Sequence, residues 1–200
     1  MVKEPQAGRV KTRLGRQIGA VAATFFYRHA ASAVIRRLAA STQWRTCLAV
    51  APDTQTNSRF WQRYLPRRGQ GSGDLGRRMQ SVMDWPGSGP ILIVGTDIPS
   101  ISANHIAEAF RHLGAGDAVL GPTPDGGYWL VGLRRTPRVL SPFGNVRWST
   151  ADTLDDTKVN LAGRRVAAAS TLSDVDDAAE WTQVRAWAGR VVLPPTASGA

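Results

Sequence analysis

The chain has 200 residues, 42% of them hydrophobic, which suffices for one buried core, so the sequence predicts a single domain over residues 1–200 with a frayed tail over 190–200. Nothing in it reaches the roughly 18 consecutive apolar residues of a membrane-spanning helix, and its start, Met-Val-Lys-Glu-Pro-Gln, has no apolar signal core; a soluble, cytoplasmic protein with no membrane partner is expected. The formal charge of +10 would suit a nucleic acid, but the 25 basic residues are dispersed and aromatic residues do not interleave with them as stacking platforms, which argues against that partner.

Apolar residues recur at helical spacing from Ile18 to Ala40 (Ile18, Ala22, Phe25, Phe26, Ala30, Val34, Leu38), predicting an amphipathic helix. Thr46 to Val50 reads as a short strand closed by the Pro52-Asp53 turn signal. A helix is expected over Leu75–Met83, followed by the break Pro86-Gly87-Ser88-Gly89-Pro90. Ile91–Val94 lacks alternation, which suits a parallel strand buried on both faces. Ser102 can cap a helix running through Leu113. Asp117–Leu120 and Tyr128–Leu133 read as strands, and Ser149-Thr150-Ala151-Asp152 resembles a capping box. Val166–Ala169 is a further short strand and Asp176–Trp187 a last helix. Strands alternating with helices predict an α/β domain: an open, mostly parallel, Rossmann-like sheet with helices on both faces. Its ligand would lie beyond the carboxyl ends of the strands.

Cys47 is the one cysteine and sits in an apolar run, so a buried, inert thiol is expected. His29, His105 and His112 lack the clustering of a metal site and should serve surface or packing roles. The pairs Arg36-Arg37, Arg67-Arg68 and Arg134-Arg135 read as solvated faces.

Several segments carry residues suited to chemistry. Pro5 to Leu14 places Gly8 ahead of Lys11 and Arg13, just before the first helix, where backbone N–H groups and two cations can meet a phosphate chain. The Gly-Lys-Thr order of a Walker loop is absent, and, taken alone, the segment reads better as an ordinary basic turn. Only Lys3, Lys11 and Lys158 are lysines, so Lys11 is a compact point charge in an arginine-using chain. Gln70 to Met79 holds Gly71, Gly73 and Gly76, which let backbone approach a flat ligand, with Arg78 available for a phosphate; a turn ending in a helix N-cap at Asp74 fits the same residues. Asp97 follows the Ile91–Val94 strand, where an α/β protein places a ligand-binding carboxylate and where a hard cation finds oxygen; a structural cap fits as readily. Pro124-Asp125-Gly126-Gly127 is a strong turn signal beside Tyr128, and Asp125 is a candidate for orienting an acceptor. Phe143 to Thr150, with Trp148 and Ser149, lines a pocket or starts a helix. Asp174, Asp176 and Asp177 open a helix, where acids favour the dipole.

Taken in order, the strings GRVKTRL, GDLGRRM, GTDIPSI, GPTPDGGYWLVGL and WST resemble the bacterial DUF2064 family, also called selenodomain-associated transferase 1, from Lys3 to about Trp181. The resemblance implies a glycosyltransferase-A fold of the nucleotide-diphospho-sugar transferase type, a nucleotide or nucleotide-sugar donor, a small-molecule acceptor, and Mg²⁺ or Mn²⁺. It implies that Gly8, Lys11 and Arg13 meet phosphates and that Gly73, Asp74 and Arg78 border the nucleotide. Asp97 would hold the metal and Asp176 would supply its second carboxylate. Apart from the resemblance, the glycine-flanked turn makes Asp125 the candidate for orienting the acceptor, with Lys11 as the other expected catalytic residue, and Gly126, Gly127, Tyr128, Trp148 and Ser149 are the expected acceptor pocket. Two departures stand out. Asp177-Ala178-Ala179-Glu180 replaces the related Thr-Pro-Glu-Asp pattern, and only Met1 and Val2 represent the family's apolar first strand, which is therefore expected to be truncated or to start upstream. The same residues serve glycosyl and nucleotidyl transfer, and a non-catalytic nucleotide sensor is the alternative.

Overall fold

The computed structural model describes residues 1–136, 138–173, 175 and 181–182; of the helix expected over Asp176–Trp187 only Trp181 and Thr182, both helical, are among them, and the expected tail lies outside. The described elements are β1 (Val2–Lys3), α1 (Thr12–Ile18), α2 (Ala20–Ala39), β2 (Leu48–Ala51), β3 (Arg67–Gly69), α3 (Leu75–Met83), β4 (Ile91–Val94), α4 (Ala103–Ala115), β5 (Ala118–Pro122), β6 (Tyr128–Leu133), α5 (Thr153–Asn160) and β7 (Val166–Ala168). None of these helices is long and apolar enough to cross a membrane.

The helix predicted from Ile18 to Ala40 is α2, and a short helix that the periodicity did not show, α1, precedes it; the two are separated at Gly19, whose φ of 90° lies outside the helical region and is open chiefly to glycine. Beyond the break, Ala23, Phe26, Tyr27, Ala30, Ala31, Val34, Ile35 and Leu38 form the buried stripe of α2, at the three-and-four spacing that one helix face requires. Ser102 caps α4 as predicted, and His105 completes a reciprocal capping box, its ring nitrogen accepting from the Ser102 N–H. The capping box expected at Ser149 does not form. The α5 helix starts at Thr153 with Asp152 in the cap position and no side-chain cap bond, because the Thr150 and Thr153 hydroxyls both donate to the Arg147 carbonyl.

The strands form two sheets rather than one. The first is parallel, in the order β1-β2-β3; the second runs β4-β6-β5-β7, with β6 antiparallel to both neighbours and β7 parallel to β5. The prediction that Ile91–Val94 is a parallel strand buried on both faces therefore fails. The β4 strand pairs antiparallel with β6, and only Ile93 is fully buried. Helices do cover both faces. Leu92 and Val94 of β4 and Val119 of β5 pack with α2 and α4, whereas Ile91, Ile93, Ala118 and Leu120 pack with α3 and the Phe143–Leu161 region. This period-two division is what an α/β sandwich demands.

Strand β1 pairs with β2 and not with β4, so the strands divide into two sheets. With only Val2 and Lys3 paired to β2, nothing among the described residues joins Leu48 and Ala49 to the free edge of β4, and a cavity of about 950 Å³ remains, lined by Met1, Leu48, Ala49 and Ile91–Val94 among others. The Met1 ammonium bridges the gap by donating to the Val94 carbonyl at 2.6 Å. Cys47 lies at the mouth of this cavity. It is exposed, not buried as predicted, and partial desolvation raises its pKa, so it remains a thiol at neutral pH.

The arginine pairs are not simply solvated. Arg67 donates to the carbonyls of Thr56, Ser58 and Trp61, and Arg135 to those of Met83, Trp85, Gly87 and Gly89. Loop backbone that lacks strand partners is satisfied by the five-donor guanidinium fork instead.

Burial lowers the Met1 ammonium pKa from 8.0 to about 6, against the opposing pull of the Asp97 charge. Between these values the unfolded chain holds a proton that the folded chain has released, so stability rises with pH across that window, by on the order of 2 kcal/mol. Urea denaturation at pH 5.5 and 8.5 should show this gain, and N-terminal acetylation should remove its dependence on pH.

Candidate functional site

Five segments converge on one open cleft of about 860 Å³: the loop into α1, the end of β3, the start of α3, the loop after β4, and the turn before β6 with its neighbour at 148–153. Of the residues singled out in the sequence, Lys11, Arg13, Arg78, Asp97, Asp125, Gly127, Tyr128, Trp148 and Ser149 line it. Lys3, Arg9, Tyr27, Gln70 and Thr150 line it as well. Five cations, Lys3, Arg9, Lys11, Arg13 and Arg78, thus face two carboxylates, Asp97 and Asp125, which makes the cleft a basin for an anionic ligand.

Lys11 and Asp97 form the floor. The ammonium lies 2.9 Å from Asp97 Oδ2, with the Lys11 side chain 5% exposed and the Asp97 side chain 38% exposed. A lysine this deeply placed requires a counter-charge, and the pair ties the loop of the first sheet to the loop of the second. Each partner is held in place separately. Lys11 adopts left-handed backbone angles, φ 44° and ψ 50°, at the cap position of α1, a costly conformation for a residue with a Cβ. The Asp97 loop is anchored from behind by Arg37 of α2, whose Nη1 donates to the Pro99 and Ile101 carbonyls. Tyr27, beside them, accepts from the Lys3 N–H at 2.9 Å and bonds to Thr96, and burial raises its pKa.

The opposite wall is the turn before β6. Asp125 Oδ1 accepts from the Thr123 hydroxyl at 2.5 Å and from the Gly127 N–H at 3.0 Å, so the carboxylate is locked onto its own turn at the cleft rim. Tyr128 accepts from Thr157 and its pKa is pushed up to about 12 by burial, leaving a protonated phenol. Ser149 has φ 61°, a second strained residue in the lining. Its loop is clamped by Arg147, which pairs with Asp152 at 2.7 Å and with Asp156 at 2.8 Å; hydrogen bonds from Arg147 hold the Asp156 carboxyl down at about 2.

Four predicted site residues stand elsewhere. Gly8 and Gly73 serve turns with φ of 75° and 100°, and neither lines the cleft. Asp74 is the N-cap of α3 and accepts from the Arg77 N–H at 2.8 Å, the structural alternative noted for it. Gly126 is a packing glycine: a Cβ there would come within 2.1 Å of the Ala151 carbonyl oxygen. Asp176 lies outside the described residues. Gln70 was missed. It is 3% exposed; its Nε2 donates to the Val2 and Ala49 carbonyls at 2.9 and 2.8 Å, and its Oε1 accepts from Arg78 at 3.2 Å. The available signal was an uncharged amide placed directly between a strand and a glycine loop.

Residues 34–150 match the family model described as "uncharacterized protein conserved in bacteria (DUF2064)". No curated protein matches the chain. The fold is similar to the crystal structure of a candidate nucleotide-diphospho-sugar transferase from Desulfovibrio desulfuricans G20, at 30% identity and a TM-score of 0.75, over 88% of this chain and 80% of that one.

Gly126 and Gly8, with φ of 84° and 75°, offer a test of which loop is built by packing. Gly126→Ala collides with backbone and should cost at least about 2 kcal/mol, whereas Gly8→Ala, with nothing within 4 Å, should cost only about 1 kcal/mol from its backbone angle. Urea denaturation of both variants checks the order.

Proposed function

The chain belongs to the DUF2064 family, and from that premise we propose that its cleft grips the phosphates of a nucleotide donor and that the protein is a transferase, moving either a glycosyl group from a nucleotide sugar or a nucleotidyl group from a nucleoside triphosphate. The observation that carries this reading is the convergence of Lys11, Arg13, Arg78 and Asp97, from three separate segments, on one cleft whose lining has a surplus of positive charge. The likeness to the Desulfovibrio protein supports it.

Lys11 and Arg13 bind and shield the phosphate oxygens, and Arg78 meets them from the α3 side. Charges fixed in advance in this way cost little reorganisation when charge grows on the leaving group. Asp125 orients the acceptor, since its carboxylate is held at the rim by Thr123 and Gly127. The Tyr128 phenol, protonated across the accessible pH range, is a hydrogen-bond donor on the same side.

The residues fit a divalent cation of one kind. Among the described residues no cluster of three His, Cys, Asp or Glu exists, and the carboxylate of Asp97 is already paired with Lys11. Magnesium is commonly held by one or two carboxylates together with substrate phosphates and water. The donor set therefore suits Mg²⁺ or Mn²⁺ that arrives with the nucleotide, held by Asp97 and, in this proposal, Asp176. When bound, the cation would neutralise charge on the leaving phosphates.

Thermal unfolding tests the reading. Nucleoside diphosphates, nucleoside triphosphates and nucleotide sugars should raise the Tm in the presence of Mg²⁺ or Mn²⁺, the cation alone should have little effect, and Asp97→Asn should lose the cation-dependent part. At a ligand concentration 100-fold above Kd the gain should be about 2.7 kcal/mol. If no nucleotide stabilises the chain with cation present, the proposal fails. Product analysis then separates the reactions: nucleoside diphosphate marks glycosyl transfer and pyrophosphate marks nucleotidyl transfer.

A further inference from the structure

Gln70 occupies a position where its bonding is fully determined. Its two amide hydrogens meet two backbone carbonyls, Val2 of β1 and Ala49 of β2, and its oxygen meets the Arg78 guanidinium. The amide cannot be turned over, because the flipped form would set oxygen against two carbonyls and NH₂ against a cation. The side chain is 3% exposed, so each of these bonds replaces water that cannot enter. Arg78 has one other recorded hold, from its Nε to the Asp74 carbonyl at 3.3 Å, at the exposed start of α3. A long side chain fixed at one end only would sample many rotamers.

We infer that Gln70 is a positioning residue that sets the Arg78 guanidinium in the cleft for a diphosphate and links its placement to the junction of β1 and β2. This rests on the phosphate-binding reading of the cleft. The Gln70 amide itself turns its donors to backbone, and its contribution to binding passes through Arg78. Guanidinium recognition of phosphate depends on the angle of a rigid fork, so an arginine that has lost one anchor keeps its charge and loses its aim.

Inorganic pyrophosphate is the probe, since it carries the diphosphate without a base or sugar. Calorimetric titration would be run on the wild-type chain, Gln70→Met, Arg78→Met and the double variant. Gln70→Met should weaken pyrophosphate binding roughly fivefold to tenfold in the wild-type background and have no further effect in the Arg78→Met background, while it lowers the Tm in both, because the bonds to the Val2 and Ala49 carbonyls are lost in either. An equal loss of affinity in both backgrounds overturns the role of Gln70 and leaves the cleft reading intact; a wild-type chain that does not bind pyrophosphate overturns the cleft reading itself. Should Gln70→Met not fold, nuclear magnetic resonance of the other two proteins decides. In the wild-type chain the Gln70 side-chain amide protons should exchange slowly, and Arg78→Met should shift the Gln70 side-chain amide resonance. A resonance unmoved by the loss of Arg78 overturns the inference.

Discussion

The ion pair between Lys11 and Asp97 joins what the backbone leaves apart. With β1 paired to β2 alone, the strands form two sheets, and the loops that make the cleft floor come one from each. A buried lysine requires an anionic partner, and that requirement draws the loop into α1 onto the loop after β4. The Met1 ammonium, bonded to Val94, makes a second crossing between the same two sheets. The remaining walls, Arg78 on α3 and the Asp125 turn before β6, face a floor whose geometry this pair sets.

The large positive charge also acquires a physical account. Arg37, Arg67 and Arg135 each spend their guanidinium on several backbone carbonyls in loops without strand partners. These arginines work as internal braces, and their charge is incidental to any partner. Five other cations are concentrated in the cleft lining, and the ligand reading rests on three of these, Lys11, Arg13 and Arg78, rather than on net charge. Strain follows the same geography. Three described residues other than glycine have positive φ, and two of them, Lys11 and Ser149, line the cleft. Such angles persist where the surroundings over-determine them, as the Asp97 pair does for Lys11 and the Arg147 clamp does for the Ser149 loop.

Local order was legible where the governing interactions are local. The α3 helix has the predicted bounds, the Ser102 cap forms, and the Tyr128–Leu133 strand is where apolar content placed it. That Asp97 and Arg78 line one cleft was legible because a residue just past a strand or at a helix start has few places to point. Misreadings occurred where the outcome depends on distant partners. A continuous apolar run such as Ile91–Val94 states that a strand is buried, but neither its direction nor its neighbour is written in four residues; pairing with β6 is settled some forty positions away. Gly126 and Asp74 were assigned to ligands because a glycine or an acid in a turn looks the same whether it faces a substrate or a neighbouring backbone.

The sequence by itself therefore determined the α/β class, the positions of most helices and strands, and which charged residues stand at strand ends, since period and capping are properties of adjacent residues. Only the tertiary structure decided that the sheet divides at β1, that Lys11 meets Asp97, that three arginines brace loops, and that Gln70 reaches both a strand junction and Arg78. Each of these is a pairing between groups far apart in the chain, and the energy that selects it, the cost of leaving a buried charge or amide without a partner, exists only once the chain has closed around it.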